Sequence, residues 1–202
     1  MPAMKTTNIC RFATSIKLAQ LFRIQKMTSI EVQQAALANV GISDKMISLR
    51  RLTLYAEADQ TLLVSIAKND DGREYQLLPE AANAWFEMKA AAEEGGVQLI
   101  VQSAYRSVAR QIELIQHKLS NGVNIGDILQ SLAPPGYSEH HTGRAIDIAS
   151  AAYPRLDAGF ADTDDYAWLI AHAGTFGFTL SYPLGNTSGY VFEPWHWCWH
   201  KI

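Results

Sequence analysis

Cysteine is scarce in this chain: there are two, Cys10 and Cys198, near opposite ends of 202 residues. That argues against a disulfide framework and suits reduced thiols in a cytoplasmic protein. No apolar run approaches the roughly 20 residues that a membrane helix requires, so the sequence offers no candidate span. An excess of charge of one sign is missing too, with 17 Lys and Arg against 20 Asp and Glu and a net charge of −3. Apart from a mildly basic N-terminal region the cations are scattered, so the footprint of a nucleic-acid partner is lacking. The first 26 residues carry Lys5, Arg11, Lys17, Arg23 and Lys26 but no uninterrupted apolar stretch and no small-residue cleavage site. They therefore do not read as a signal peptide, and the expected location is cytoplasmic. Internal repeats and low-complexity segments are also wanting.

What is present is 48% hydrophobic, which suits one globular domain with a proper core. Thr28 and Glu31 form a capping box for a helix running to about Asn39 and stopping at Gly41. Arg51–Ala56 and Leu62–Ala67 alternate or run apolar and predict an antiparallel hairpin. A turn at Asn69–Gly72 leads to a short strand near Glu74–Leu78. Pro79 opens a helix whose apolar face is expected to hold Ala82, Trp85, Phe86, Met88 and Ala91, and which ends at Gly95-Gly96. A strand over Val97–Gln102, a helix over Ser107–Leu119 and a shorter helix over Ile125–Leu132 follow. A strand runs through Ala149, a helix spans Asp164–Ala173, and the last strands are Phe178–Tyr182 and Tyr190–Trp199. Strands and helices do not alternate regularly, so the expected class is α+β: a single domain with a mainly antiparallel central sheet flanked by helices. The expected organisation is an N-terminal extension over 1–27, a helix and strands over 28–78, and a core over 79–202.

The chemistry concentrates in YSEHHTGRAIDI, residues 137–148. Asp147 stands between Ile146 and Ile148 in a strand, where an unpaired carboxylate is costly. His140 precedes it by seven residues, and a turn at Gly143 lets both side chains reach one point. Glu193-Pro194-Trp195-His196 supplies a third ligand and a spare acid, provided the chain turns at 193–195, because a regular strand would point 193 and 196 to opposite faces. Two His and one Asp make a zinc triad with an open fourth position, the kind found in catalytic sites, with Glu193 placed as general base. The spacing favours His140 over His141 as the ligand. His117 and His172 read as structural or exposed, His200 as mostly remote, and Asp162, Asp164 and Asp165 as a helix N-terminal cluster. Trp195 and Trp197 read as either core or cleft wall.

Ser138-x-His140-x-x-Gly143-x-Ala145-x-Asp147 with Glu193-Pro194-Trp195-His196 resembles the zinc D-alanyl-D-alanine carboxypeptidases of the VanY-like group, whose relatives include the VanX-like dipeptidases and the Hedgehog domain. Ser103-Ala104-Tyr105-Arg106-Ser107, with Gln111 after it, resembles that family's substrate-side motif. The resemblance covers roughly residues 80–200; the first 75 or so carry no motif that points to a family. It implies a Hedgehog-like fold and one Zn²⁺ on His140, Asp147 and His196. Glu193 is then the catalytic base, and Arg106 holds the oxyanion. Ser138, Gln111 and Tyr105 lie on the substrate side, and the partner is a peptidoglycan stem peptide ending in D-alanine. Two positions depart from the pattern: Ala104 replaces the usual glycine, and Cys198-Trp199 replaces a basic residue and an aromatic. A Cys198 thiolate could compete for the metal and turn the site into a closed, non-catalytic one. The expected activity leans to an L,D-carboxypeptidase of murein recycling, with a D,D-carboxypeptidase or dipeptidase as the alternative.

Overall fold

The computed structural model describes residues 29–201. The capping box at Thr28, the extension over 1–27 and Cys10 lie outside the described residues. Two short helices open the described chain, α1 (Ser29–Asn39) and α2 (Asp44–Ser48), the second unexpected from the sequence. A hairpin follows, β1 (Val64–Lys68) and β2 (Glu74–Leu77), paired antiparallel across the turn at 69–72. Next come α3 (Pro79–Glu94), β3 (Leu99–Ser103), α4 (Val108–Ser120), α5 (Ile125–Ser131) and β4 (Ala145–Ser150). The chain closes with α6 (Asp164–His172), β5 (Phe178–Leu180) and β6 (His196–Trp199). β3 to β6 form one sheet in the order β3-β4-β6-β5, every neighbouring pair antiparallel. This is the expected α+β single domain.

The expected strand over Arg51–Ala56 does not form. Its alternation reflects no sheet: Leu54 points to solvent, while the Tyr55 and Ala58 amides donate to the carbonyls of Gly136 and His141, each at 2.8 Å. The segment is an extended strap laid along the loop that carries His140. The hairpin is formed by the next two segments instead. The strand expected over Tyr190–Trp199 begins only at His196, because Pro194 and Trp195 form a turn.

Helix α3 buries Ala81, Ala82, Trp85, Met88 and Ala92 at three- and four-residue spacings, one stripe of the helix. Phe86, expected on that stripe, is rotated off it and stays 45% exposed. The stripe packs with Ile146 and Ile148 of β4, Phe160, Leu169, Phe178 and Trp197 in the main core. A second core joins Leu37, Val40, Ile42 and Ile47 to Ile115, Ile128 and Leu129, so the first described helices cover α4 and α5. In α6, Thr163 caps the N-terminus by accepting from the Tyr166 amide, and Asp164 and Asp165 fill the first turn, as the acidic cluster implied.

Candidate metal centre and cleft

Every residue of β4 is buried, because the strand lies between β3 and β6 with helices on one face. Ile146 and Ile148 face the main core. Alternation therefore turns Asp147 to the opposite face. Its cross-strand partners are Ser103 on β3 and His196 on β6. The sheet register thus brings Asp147 and His196 side by side, and the turn at 193–195 closes with the His196 amide donating to the Glu193 carbonyl at 3.1 Å.

His140 arrives on a short 3₁₀ turn, Glu139–Thr142, that ends at Gly143 with φ of 67°. That left-handed conformation suits glycine. The close approach it allows is to the strap and hairpin rather than to the ligands, since a Cβ there would lie 3.0 Å from Leu63 and 3.1 Å from Leu78. The next residue, His141, is a structural pin. Its Nδ1 donates to the Arg106 carbonyl at 2.6 Å, and its Nε2 accepts from the Gly136 amide at 3.1 Å.

His140, Asp147 and His196 form a buried group whose donor atoms all lie within 4.8 Å of one another. His140 Nδ1 donates to the Ala104 carbonyl at 2.7 Å, which leaves the Nε2 lone pair facing Asp147 Oδ2 at 3.2 Å. His196 Nε2 donates to Glu139 Oε2 at 3.0 Å, which leaves Nδ1 facing Asp147 Oδ1 at 2.9 Å. Two ring nitrogens and a carboxylate thus converge as acceptors on one point, with the outer nitrogen of each ring already anchored. Such a point needs a cation, and two N donors with one O donor suit zinc. A proton is the competing occupant. Burial opposes charge on His196, yet Asp147 and Glu139 outweigh it and raise its pKa to about 10. Burial also opposes charge on Asp147, but the two imidazoles hold its carboxyl well below the ordinary range. His140 moves the other way: burial lowers its pKa to about 4 despite Asp147, so its ring is neutral at pH 7.

The group opens to a cleft of about 310 Å³ lined by Arg106, Ser138, Tyr182, Glu193 and Trp195 beside the three ligand candidates. Burial pushes the Glu193 carboxyl up to about 7, with His196 and Arg106 opposing and Asp147 adding to the rise. Arg106 is held by Ser103 Oγ at 2.9 Å and Gln111 Oε1 at 3.1 Å, and lies 3.9 Å from Asp147. Gln111 is fully buried and also donates to the Ala133 carbonyl, so it stands behind Arg106 rather than in the cleft lining. Tyr105 is likewise outside the lining, its hydroxyl donating to Glu57 at 2.6 Å. Of the two tryptophans in question, Trp195 lines the cleft and Trp197 belongs to the core. Cys198 is buried but is not in the ligand group, and its Sγ lies 3.9 Å from the Trp199 carbonyl oxygen. His117, His172 and His200 are exposed.

The sequence reading missed Glu139 and Tyr182. Glu139 occupies a position the spacing pattern leaves free. Its only signal is that an acid sits directly beside a ligand candidate. Tyr182 stacks on His196 with ring centroids 4.8 Å apart, across a sequence distance that no motif covers.

A buried two-histidine, one-aspartate group at the foot of a cleft, carried by an antiparallel sheet with helices packed on it, defines a metallopeptidase-like protein. Residues 74–202 match the family model described as VanY: D-alanyl-D-alanine carboxypeptidase. The chain belongs to that family. Among its relatives, YodJ of Bacillus subtilis (strain 168), provisionally named a carboxypeptidase, is 36% identical over 121 residues, covering 58% of this chain and 44% of YodJ. The chain thus spans less than half the length of that relative. The LdcB LD-carboxypeptidase, in a structure concerned with peptidoglycan recognition, aligns with a TM-score of 0.62 at 31% identity. That alignment covers 70% of this chain and 69% of LdcB. A mutant of the vancomycin resistance D,D-pentapeptidase VanY from the VanB-type cassette, solved with Zn(II), aligns with a TM-score of 0.55 at 25% identity. It covers 74% of this chain and 88% of that one.

Proposed function

We propose that the protein is a zinc carboxypeptidase that removes a C-terminal D-alanine from peptidoglycan stem peptides. The observation that carries this reading is the convergence of His140, Asp147 and His196 on one point at the foot of the cleft that Glu193 and Arg106 also line. His140, Asp147 and His196 would hold the metal, which when bound supplies Lewis acidity and a more acidic water. Glu193 takes the proton from the attacking water and returns it to the leaving amine. A carboxyl held near neutrality suits both halves of that task. Arg106 donates its fixed guanidinium to the carbonyl oxygen as negative charge develops there. Ser138, on the same wall, supplies a hydroxyl to the terminal residue of the peptide. Gln111 serves by fixing Arg106. Cys198 lies outside the ligand group, which favours an open site over a closed structural one.

Within that class the L,D activity, tetrapeptide to tripeptide, is the reading we favour. It is supported by the higher TM-score of LdcB, 0.62 against 0.55 for the VanY structure. It also suits a protein working inside the cell on recycled wall peptides, because trimming tetrapeptides leaves pentapeptide precursors intact. The test is mass spectrometry of muropeptide tetrapeptide and pentapeptide after incubation, with zinc content measured on the same sample. Loss of one alanine from the tetrapeptide with about one zinc per chain supports the reading. Cleavage of the pentapeptide alone makes the enzyme D,D-specific. Glu193→Ala is expected to abolish turnover while zinc content stays unchanged, and wild-type activity in that variant would remove Glu193 from its role.

A further inference from the structure

We propose that Glu139 is the positioning residue of the metal centre, and that the chain upstream of the family match helps to hold it there. The proposal rests on the reading of His140, Asp147 and His196 as metal ligands. Glu139 Oε2 lies 3.0 Å from His196 Nε2 and 2.6 Å from Ser181 Oγ, and Oε1 lies 3.3 Å from the Tyr55 hydroxyl. The carboxylate therefore accepts from three donors on three different segments. It cannot be a fourth ligand through this contact, because it binds the ring nitrogen that faces away from Asp147. The rest of the His196 ring is boxed by Tyr182 at 4.8 Å and by the edge of His140 at 4.9 Å. Glu139 is thus the polar group that fixes both the tautomer and the tilt of this ring. Its charge behind the imidazole also makes Nδ1 a stronger donor to a cation.

Tyr55 brings a second segment of the chain into the arrangement. It precedes residue 74, where the family match begins. Three backbone hydrogen bonds lash residues 55–78 to the 136–143 loop: Tyr55 to Gly136, Ala58 to His141 and Leu78 to Gly143, each 2.8 Å. Glu57 adds a second attachment through the Tyr105 hydroxyl and the Val108 amide. The strap therefore delivers a hydroxyl to the carboxylate that orients a ligand.

The experiment uses the full chain and three variants, Glu139→Ala, Glu139→Gln and Tyr55→Phe. Zinc affinity is measured by competition with a chromophoric chelator, and the visible spectrum of the Co(II)-substituted protein is recorded. Glu139→Ala is expected to weaken zinc binding by about 10- to 100-fold and to shift the Co(II) bands. Glu139→Gln is expected to fall between it and wild type, and Tyr55→Phe to cause a smaller loss of the same kind. Thermal melting identifies any variant that fails to fold, and Glu139→Gln, which keeps the shape, then decides. Wild-type affinity with an unchanged Co(II) spectrum in the Glu139 variants overturns this proposal and leaves the metal reading standing. A wild-type protein that takes up no zinc overturns both.

Discussion

Each imidazole of the centre uses its two nitrogens for different purposes. In His140 the inner nitrogen faces Asp147 and the outer one is tied to Ala104; in His196 the outer one is tied to Glu139. The inner half of this arrangement was legible in the sequence, because the spacing from His140 to Asp147 and the Glu-Pro-Trp-His run carry it. The outer half was not. A backbone carbonyl 36 residues away and an acid in an unconstrained position of the motif leave no pattern to read. Arg106 shows the same division. Its place beside the ligand candidates was expected from the motif, but its fixation by Ser103 and buried Gln111 was not. That fixation makes Arg106 a rigid fork rather than a mobile charge. Arg106→Lys keeps the charge and loses the planar geometry. We expect kcat to fall about 10²- to 10³-fold with zinc content unchanged, as for loss of one oxyanion donor. Steady-state kinetics on the cleaved muropeptide, set against metal analysis, checks this.

At the scale of elements, the helices and the four strands of the main sheet were largely readable, because apolar spacing and Gly or Pro boundaries coincide there. The strap was not. Arg51–Ala56 alternates like a strand, but its amides find carbonyls in a loop, and periodicity cannot distinguish one acceptor from another. The strap also carries Glu57, and its titration offers a test. Burial would raise the Glu57 pKa, but hydrogen bonds from Tyr105, Val108 and Gln60 outweigh it and lower the carboxyl below its ordinary 4.5. A carboxyl depressed in the folded state stabilises that state above its unfolded pKa and loses the contribution as pH falls through its folded pKa. The urea midpoint of wild type should therefore exceed that of Glu57→Gln at pH 7. The gap should close as pH drops below about 4.5, the value expected when unfolded. A gap independent of pH would mean that the strap is held without this charge.

For the whole molecule, the family match and the folded unit do not coincide. The match begins at residue 74, yet Leu37, Val40, Ile42 and Ile47 cover Ile115, Ile128 and Leu129 in the second core. The sequence offered no family for this region, so its integration with α4 and α5 could not be foreseen. Helix α4 follows directly after Arg106 and carries Gln111, so the second core supports the cleft from below. A chain shortened to residues 74–202 would expose that apolar surface and remove the strap. We expect it to lose cooperative melting by circular dichroism and to retain no zinc after chelator wash. A shortened chain that melts like the full one would show that the second core contributes little.

The register of β4 against β6 carries a final consequence. Ile146 and Ile148 enter the core in the same alignment that sets Asp147 beside His196, and a one-residue slip would turn every side chain of β4 to the opposite face. No misaligned sheet can therefore satisfy the core and assemble the ligand group at once. A cation held by this group is bound by the native register alone. By linkage, each tenfold rise in free metal above its dissociation constant adds about 1.4 kcal/mol to the native state at the expense of every slipped or open form. The metal would then act as a proofreader of strand pairing as well as a participant in chemistry.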